Sequence, residues 1–332
     1  MTVHLAIRQA ARRTLLTAAG SLVGLAISDS ALAQAWPVRT ITAIVPFAAG
    51  SASDLMPRIV FDQVAKQLGQ SIVIENRGGA GGTLGAATVA KAAPDGYTVL
   101  ASGALGSGHA LYPKLPYDPL RDFIPVIPFG QQPMVLVTAP SIGLKTLGDL
   151  IAAAKARPGA LNFGSAGLGS TSHLAAERLR ISAEFEAQHI PFRGATEVIA
   201  ETLAGRLNFT FVPLATALPH INDGKLAALA VSSSKRAVDL PNVPTTTEAG
   251  IAGSAYNFWV GLYLPAKTPR DIVVRLHQET AKALQIPTVQ DRLAKLGVAP
   301  MPMSLEQFSN HFRDDVEAHV RLVKAANIVA QQ

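Results

Sequence analysis

Short apolar blocks alternate along this chain with stretches whose alanines and leucines recur at helical spacing. Residues 40–47, 71–75, 97–102, 134–139, 161–163, 207–212 and 226–232 read as strands, each bounded by turn-forming residues. Buried strands alternating with helices predict an α/β protein with mostly parallel sheets. The last third is punctuated more sharply. Thr268-Pro269-Arg270-Asp271 offers a capping Thr, a Pro at the first helical position and an early acid for a helix reaching Leu284. Pro287 and Gly297 bracket a short helix, and Ser304-Leu305-Glu306-Gln307 is a capping box opening a last helix to about Ala326.

One internal echo carries chemistry. Residues 40–54 (TITAIVPFAAGSASD) and 161–173 (LNFGSAGLGSTSH) share a plan: apolar strand, Gly/Ser/Ala loop, polar helix start. Each loop would present free backbone N–H groups and the positive end of a helix dipole beyond a strand's C-terminal edge. Two such loops, far apart in sequence, suit two domains facing each other across one ligand. The same plan also describes ordinary strand-to-helix turns.

The second loop also raises a serine nucleophile. A nucleophile elbow needs G-x-S-x-G, and no serine here fits: Phe163 stands at the first glycine position before Ser165, while Leu168 and Ser172 flank Ser170. Ser107 fails likewise. Ser170 and His173 read instead as a helix cap followed by a solvated histidine. The run Gly79-Ala80-Gly81-Gly82-Thr83-Leu84-Gly85 resembles a dinucleotide fingerprint with the wrong spacing, and residues 97–102 lack the ribose-binding acid. His311, Asp315 and His319 lie on one face of the last helix, but three ligands over two turns overreach a single ion, so a solvated face is expected. No cofactor, catalytic or metal site is expected.

Composition adds bounds. Hydrophobic residues make up 48% of the 332, against 16% charged, which argues against disorder. The net charge of +6 is spread without Lys/Arg runs and aromatics are sparse, so nucleic acid is not an expected partner. Arg8, Arg12 and Arg13 precede an apolar run over 15–27 and Ala31-Leu32-Ala33, the order of a cleaved signal peptide over residues 1–33. Arg12-Arg13-Thr14-Leu15-Leu16 also looks like a twin-arginine signal, so both export routes stay open. Cleavage would take the charge from +6 to +4 by removing three arginines and Asp29. A chain without cysteine has no disulfides or thiolate chemistry.

Val45-Pro46-Phe47-Ala48-Ala49-Gly50 with Asp54, Glu75-Asn76-Arg77-Gly78-Gly79-Ala80-Gly81-Gly82 and Pro94-Asp95-Gly96-Tyr97-Thr98 resemble the tripartite tricarboxylate transporter substrate-binding proteins, or Bug proteins. The likeness runs on through Tyr117-Asp118-Pro119, residues 164–173, Ile190-Pro191-Phe192-Arg193-Gly194, Leu240-Pro241-Asn242-Val243-Pro244-Thr245 and Trp259, over essentially all of the mature chain. It implies a periplasmic-binding-protein fold of two α/β domains with a ligand cleft between them. Residues 34–136 plus 257–332 would form domain 1 and 137–256 domain 2. It further implies a non-enzymatic, periplasmic receptor that holds a small carboxylate or dicarboxylate and delivers it to membrane permease components. A receptor signalling to a sensor protein, or an extracytoplasmic hydrolase, are the alternatives. The family's ligand-binding positions fall here on Phe47, Ala48, Ala49, Gly50, Ser51, Asp54 and Ser102, and on Ser165, Ala166, Gly167, Ser170, Thr171, His173 and Arg193.

An acid asks for several donors, which glycine-exposed backbone and serine hydroxyls supply without a buried lysine. Asp54 beside an anion site is then a puzzle: either it braces the loop from behind or it accepts from the ligand. Ser51 stands where relatives commonly have a second glycine, and Arg193 where they often have lysine. Val212-Pro213-Leu214 lacks an acid that some relatives carry, which disfavours an amino-acid ligand.

Overall fold

The computed structural model describes residues 36–112 and 114–328; the signal-peptide reading of residues 1–33 lies outside the described residues. The chain divides into Met1–Val38 and Arg39–Gln332, and the architecture below is that of the second unit. It opens with β1 (Ile41–Val45), α1 (Ala52–Leu68), β2 (Ile72–Asn76), α2 (Thr83–Ala90), β3 (Thr98–Ser102) and α3 (Leu105–Leu111). A long β4 (Phe123–Thr138) leads into α4 (Leu147–Ala156), β5 (Asn162–Ser165), α5 (Thr171–Ser182), β6 (Gln188–Pro191) and α6 (Ala195–Leu203). Then come β7 (Phe209–Pro213), α7 (Leu214–Asn222), β8 (Ala227–Val231), β9 (Asn257–Pro265), α8 (Arg270–Gln285), α9 (Pro287–Ala294) and α10 (Leu305–Ala325).

The strands run in the order β2-β1-β3-β9-β4-β7-β5-β6, with β8 also on β4. β4 is the joint of two half-sheets. Its residues up to Pro133 pair with β9, and from Met134 onward they pair with β7 and β8. The outer ladders (β1 with β2 and β3, β5 with β6 and β7) are parallel. Every ladder made by β4 or β9 is antiparallel, so the expectation of mostly parallel sheets is corrected at the centre of the molecule.

The seven expected strands form within a few residues of their expected limits, but 134–139 proves to be only the end of β4, and β6 and β9 are additional. Pro125, Pro128, Gly130 and Pro133 disguise the first part of β4, because proline normally marks an edge or a bulge. Here the register shifts at Pro125/Ile127 and Pro128/Gly130, which is where such residues are tolerated.

Each half has its own core. Ile44, Leu100, Trp259, Tyr263, Phe308 and Phe312 pack together in one, and Val135, Val137, Val198, Leu207, Val212 and Val231 in the other. A smaller cluster of Leu111, Leu174 and Val323 ties α3, α5 and α10 together.

Helix ends follow the expected chemistry in part. The Ser304 capping box forms in both directions, with Gln307 N–H donating to Ser304 Oγ and Ser304 N–H to Gln307 Oε1. Thr268 does not cap α8: its hydroxyl turns back to the Pro265 carbonyl at 2.7 Å, and Pro269 takes the cap position. The expected solvated face of the last helix is also corrected. His319 is 5% exposed; its Nε2 meets the Tyr256 hydroxyl at 2.8 Å and its Nδ1 lies 3.1 Å from Asp315 Oδ2. Trp259 Nε1–H donates to the other carboxylate oxygen at 3.4 Å. That face is buried because α10 packs on α3, where a side-chain carbon at Gly106 would stand 2.9 Å from His319 Nδ1.

Phe308 is fully buried between Trp259 and Tyr263, with ring centroids 5.7 and 5.6 Å away. Phe308→Ala is expected to cost about 3–5 kcal/mol of unfolding free energy in a urea titration. Val238→Ala, at a position 93% exposed, should change it by less than about 0.5 kcal/mol.

Candidate functional site

The first loop, between β1 and α1, is held from behind by a buried carboxylate. Asp54, 1% exposed, accepts from Gly50 N–H at 2.8 Å, from Arg58 Nε at 2.8 Å and from Asn76 Nδ2 at 2.9 Å. The same Asn76 amide donates to the Phe47 carbonyl at 2.9 Å, so both sides of the loop are pinned. Burial pushes the Asp54 pKa up, but the hydrogen bonds from Arg58, Asn76 and Gly50 outweigh it and hold the carboxyl below its ordinary value. Asp54 therefore shapes the loop from its rear.

The second loop, between β5 and α5, is held by a network of its own side chains. Ser170 caps α5 by accepting from His173 N–H at 3.4 Å and meets Ser172 Oγ at 3.0 Å, and Ser172 Oγ accepts from Ala166 N–H at 3.0 Å. Gly169 N–H donates to His173 Nδ1 at 3.1 Å, which fixes that nitrogen as an acceptor. Gly169 itself is required twice over: its φ is +75°, and a Cβ there would lie 2.1 Å from Leu111 Cδ1 on α3. His173 is 1% exposed, so the expectation of a solvated histidine is corrected. It stacks at 3.8 Å on His189, whose Nε2 meets Ser165 Oγ at 2.6 Å. Burial lowers both imidazole pKa values, to about 3 for His173 and about 4 for His189.

These loops face each other across a cavity of about 320 Å³. Of the expected site residues, Phe47, Ala48, Ala49, Gly50, Ser51, Ala166, Ser170, Thr171 and Arg193 line it. Asp54, Ser102, Ser165, Gly167 and His173 do not. Ser102 is spent on the next turn, accepting from Ala104 N–H at 3.1 Å, and Ser165 and His173 brace the second loop. The Ser165–His189 contact thus belongs to the loop's support and not to the cavity surface.

Residues that begin three helices line the same space: Ala52 and Ser53 of α1, Thr171 and Ser172 of α5, Ala195 and Thr196 of α6. First-turn N–H groups have no partner inside their helix, so this arrangement offers a set of donors and three positive dipole ends to one occupant. Arg193 is the one charged side chain among the lining residues. The third helix start was not singled out from sequence, although Phe192-Arg193-Gly194 before it is a strand-to-helix turn like the other two. Gly194, Val198, Met134, Val212, Pro213, Thr216 and Phe258 complete the wall; no local pattern marks the last five, because they meet only where β4, β7, α7 and β9 come together. The Gly79–Gly85 run serves packing, since a Cβ at Gly85 would stand 2.8 Å from both the Arg77 carbonyl oxygen and Pro46 Cβ.

A larger groove of about 700 Å³ runs past Phe129, Leu284, Leu293 and Met303. Its one helix start, at Ser304, is closed by the capping box, and no charged side chain lines it. The smaller cavity has the chemistry.

Two half-sheets joined by antiparallel central strands, with helix starts meeting between them, define a periplasmic-binding-protein fold, and the solved structures it matches are of that class. Residues 56–328 match the family described as "Tripartite tricarboxylate transporter family receptor". The chain belongs to that family, the Bug proteins. It is 35% identical over 312 residues to Protein BugT of Bordetella pertussis, covering 92% of this chain and 96% of that one. It matches MatC (Rpa3494) from Rhodopseudomonas palustris with bound malate at 34% identity and a TM-score of 0.80, over 87% of this chain and 100% of the other. It also matches R. palustris Rpa4515 with adipate at 31% identity and a TM-score of 0.83, over 89% and 99%.

Both loop histidines have folded pKa values below the unfolded value near 6.5, so their stabilising neutral state is complete above that pH. Below it the unfolded chain binds protons that the folded, still neutral imidazoles do not, and that stability is lost as pH falls toward about 4. Unfolding free energy should therefore drop on acidification from pH 6.5 to 4, by at most about 2.7 kcal/mol per pH unit for the two groups together. His189→Phe should flatten that slope in denaturant titrations repeated at each pH.

Proposed function

We propose that the protein is a periplasmic solute receptor that closes on a small carboxylate or dicarboxylate and delivers it to a tripartite tricarboxylate-type membrane transporter. The observation that carries this reading is the meeting of three helix first turns on one cavity with Arg193 as its single charged side chain. Charge-assisted hydrogen bonds from backbone N–H groups suit an ionised oxygen, and no acid in the lining opposes it. The adipate and malate bound by two relatives belong to the same ligand chemistry.

In this reading Phe47, Ala48, Ala49, Gly50 and Ser51 with the first turn of α1 cradle one side of the ligand. Ala166, Ser170 and Thr171 with the first turn of α5 close on it from the other half. Arg193 approaches from the start of α6. Asp54, Ser165 and His173 position the two loops, and no residue is assigned a catalytic role. The ligand-closing domains are residues 34–136 plus 257–332 and residues 137–256, with the hinge where β4 changes partners. Residues 1–33 direct export to the periplasm, where membrane permease components are the partner. Among the described residues, no helix is long and apolar enough to cross a membrane.

A thermal-shift series with aliphatic, aromatic, hydroxy and amino carboxylates tests the reading. Ligand at one hundred times its Kd adds about 2.7 kcal/mol, enough for a shift of some degrees. At least one carboxylate should raise the midpoint, and Arg193→Ala should weaken that ligand about tenfold, consistent with loss of a charge-assisted hydrogen bond. Aspartate and glutamate should bind worse than plain acids of similar length, because no lining carboxylate receives an ammonium. Tight, selective binding of an amino acid would contradict the assignment. Uptake lost on deletion identifies a transporter partner; uptake retained with a lost transcriptional response identifies a sensor instead.

A further inference from the structure

The donor loops of the cleft face each other, and the strands between them present hydrocarbon to it. Met134, Val212 and Phe258 line the cavity from the strands, outside the two loops and the three helix starts. Met134 and Phe258 come from the strands that join the half-sheets, so this apolar face is the floor of the cleft at the crossing. A second space of about 160 Å³ shares Gly50, Ala52 and Thr216 with the cleft and extends it past Leu55, Met56, Leu296 and Val298. It holds no charged side chain. Gln132, the one amide there, donates through Nε2 to the Leu296 carbonyl, and its Oε1 is the single side-chain amide acceptor left over in that space.

We infer that this cleft selects carboxylates with an unsubstituted hydrocarbon body, an aromatic ring or a methylene chain, over acids that carry hydroxyl, amino or additional carboxyl groups on that body. The inference rests on the carboxylate-receptor reading above and narrows it. A carboxylate seated on the first turns of α1 and α5 directs its body toward Met134, Val212 and Phe258, where carbon gains from leaving water. A hydroxyl held against those three side chains meets neither donor nor acceptor, and a buried polar group without a partner loses affinity on the order of tenfold or more. A third carboxylate has only Arg193 as a full counter-charge, and a tricarboxylate would bury charge against carbon. Thr216 is the one hydroxyl on the side of the floor and provides a handle for changing the preference.

Isothermal titration of the mature protein, freed of any copurified ligand by refolding, tests this with two sets of acids. Hexanoate, adipate and benzoate form the first; malate, tartrate and citrate form the second. The expected result is that the best acid of the first set binds at least tenfold more tightly than the best of the second. Val212→Thr, which keeps side-chain volume, should narrow that ratio about fivefold or more, and Thr216→Val should widen it. The thermal midpoint of each variant confirms folding, and Thr216, half-exposed, keeps the test available if the buried Val212 site does not tolerate a hydroxyl. Equal or tighter binding of the hydroxylated set overturns the inference while leaving the receptor reading intact, as does a ratio unmoved by folded variants. No heat from either set would overturn the receptor reading itself.

Discussion

The first N–H groups of a helix cannot be satisfied within that helix, and in this chain three helices bring theirs to the same cavity. Such a constraint is costly to leave unmet in a closed space, because amide groups away from water need acceptors. In the proposed receptor, water serves these donors while the cleft is open and a bound acid answers them when it closes. This explains how the site dispenses with buried lysines. It also explains why so much side-chain chemistry lies behind the loops instead of within the cleft. Donors fixed in direction favour one occupant geometry only if the backbone carrying them is fixed too.

Two different devices provide that fixity. In the first loop a charged, fully buried carboxylate does it: Asp54 gathers Gly50 N–H, Arg58 and Asn76, and Asn76 reaches across to Phe47. In the second loop neutral groups do it: serine hydroxyls, and His173 accepting from Gly169 N–H over the stacked ring of His189. The negative charge of Asp54 would oppose an anionic ligand in the open, but Arg58 at 2.8 Å offsets it from behind the loop. The first loop's carboxylate reaches a cation on its own helix four residues on, whereas the second loop's histidines stack on Phe163.

Much of this was legible in the sequence where the signal was local. The strand–loop–helix plan of residues 40–54 and 161–173, the Ser304 capping box and the short helix after Pro287 all emerge as read. What escaped was contact made across long separations. β4 hides behind Pro125 and Pro128, because the bulges that tolerate them are properties of the ladder with β9. Met134, Val212 and Phe258 carry no mark of a binding wall, since each looks like ordinary core until the strands cross. The charged face of α10 read as solvated because charge spacing on a helix says nothing about what packs against it. For Asp54 the sequence posed two roles, and the geometry supplies the one behind the loop.

In the proposed receptor, backbone N–H groups at helix starts, and not a side-chain nucleophile or a metal, hold the ligand. Amide chemical shifts of the isotope-labelled mature protein, followed as a binding carboxylate is titrated in, test it most directly. The largest changes should fall on Ala52, Ser53, Thr171, Ser172, Ala195 and Thr196. Changes concentrated in the groove around Leu284, Leu293 and Met303, with those six amides unmoved, would contradict it.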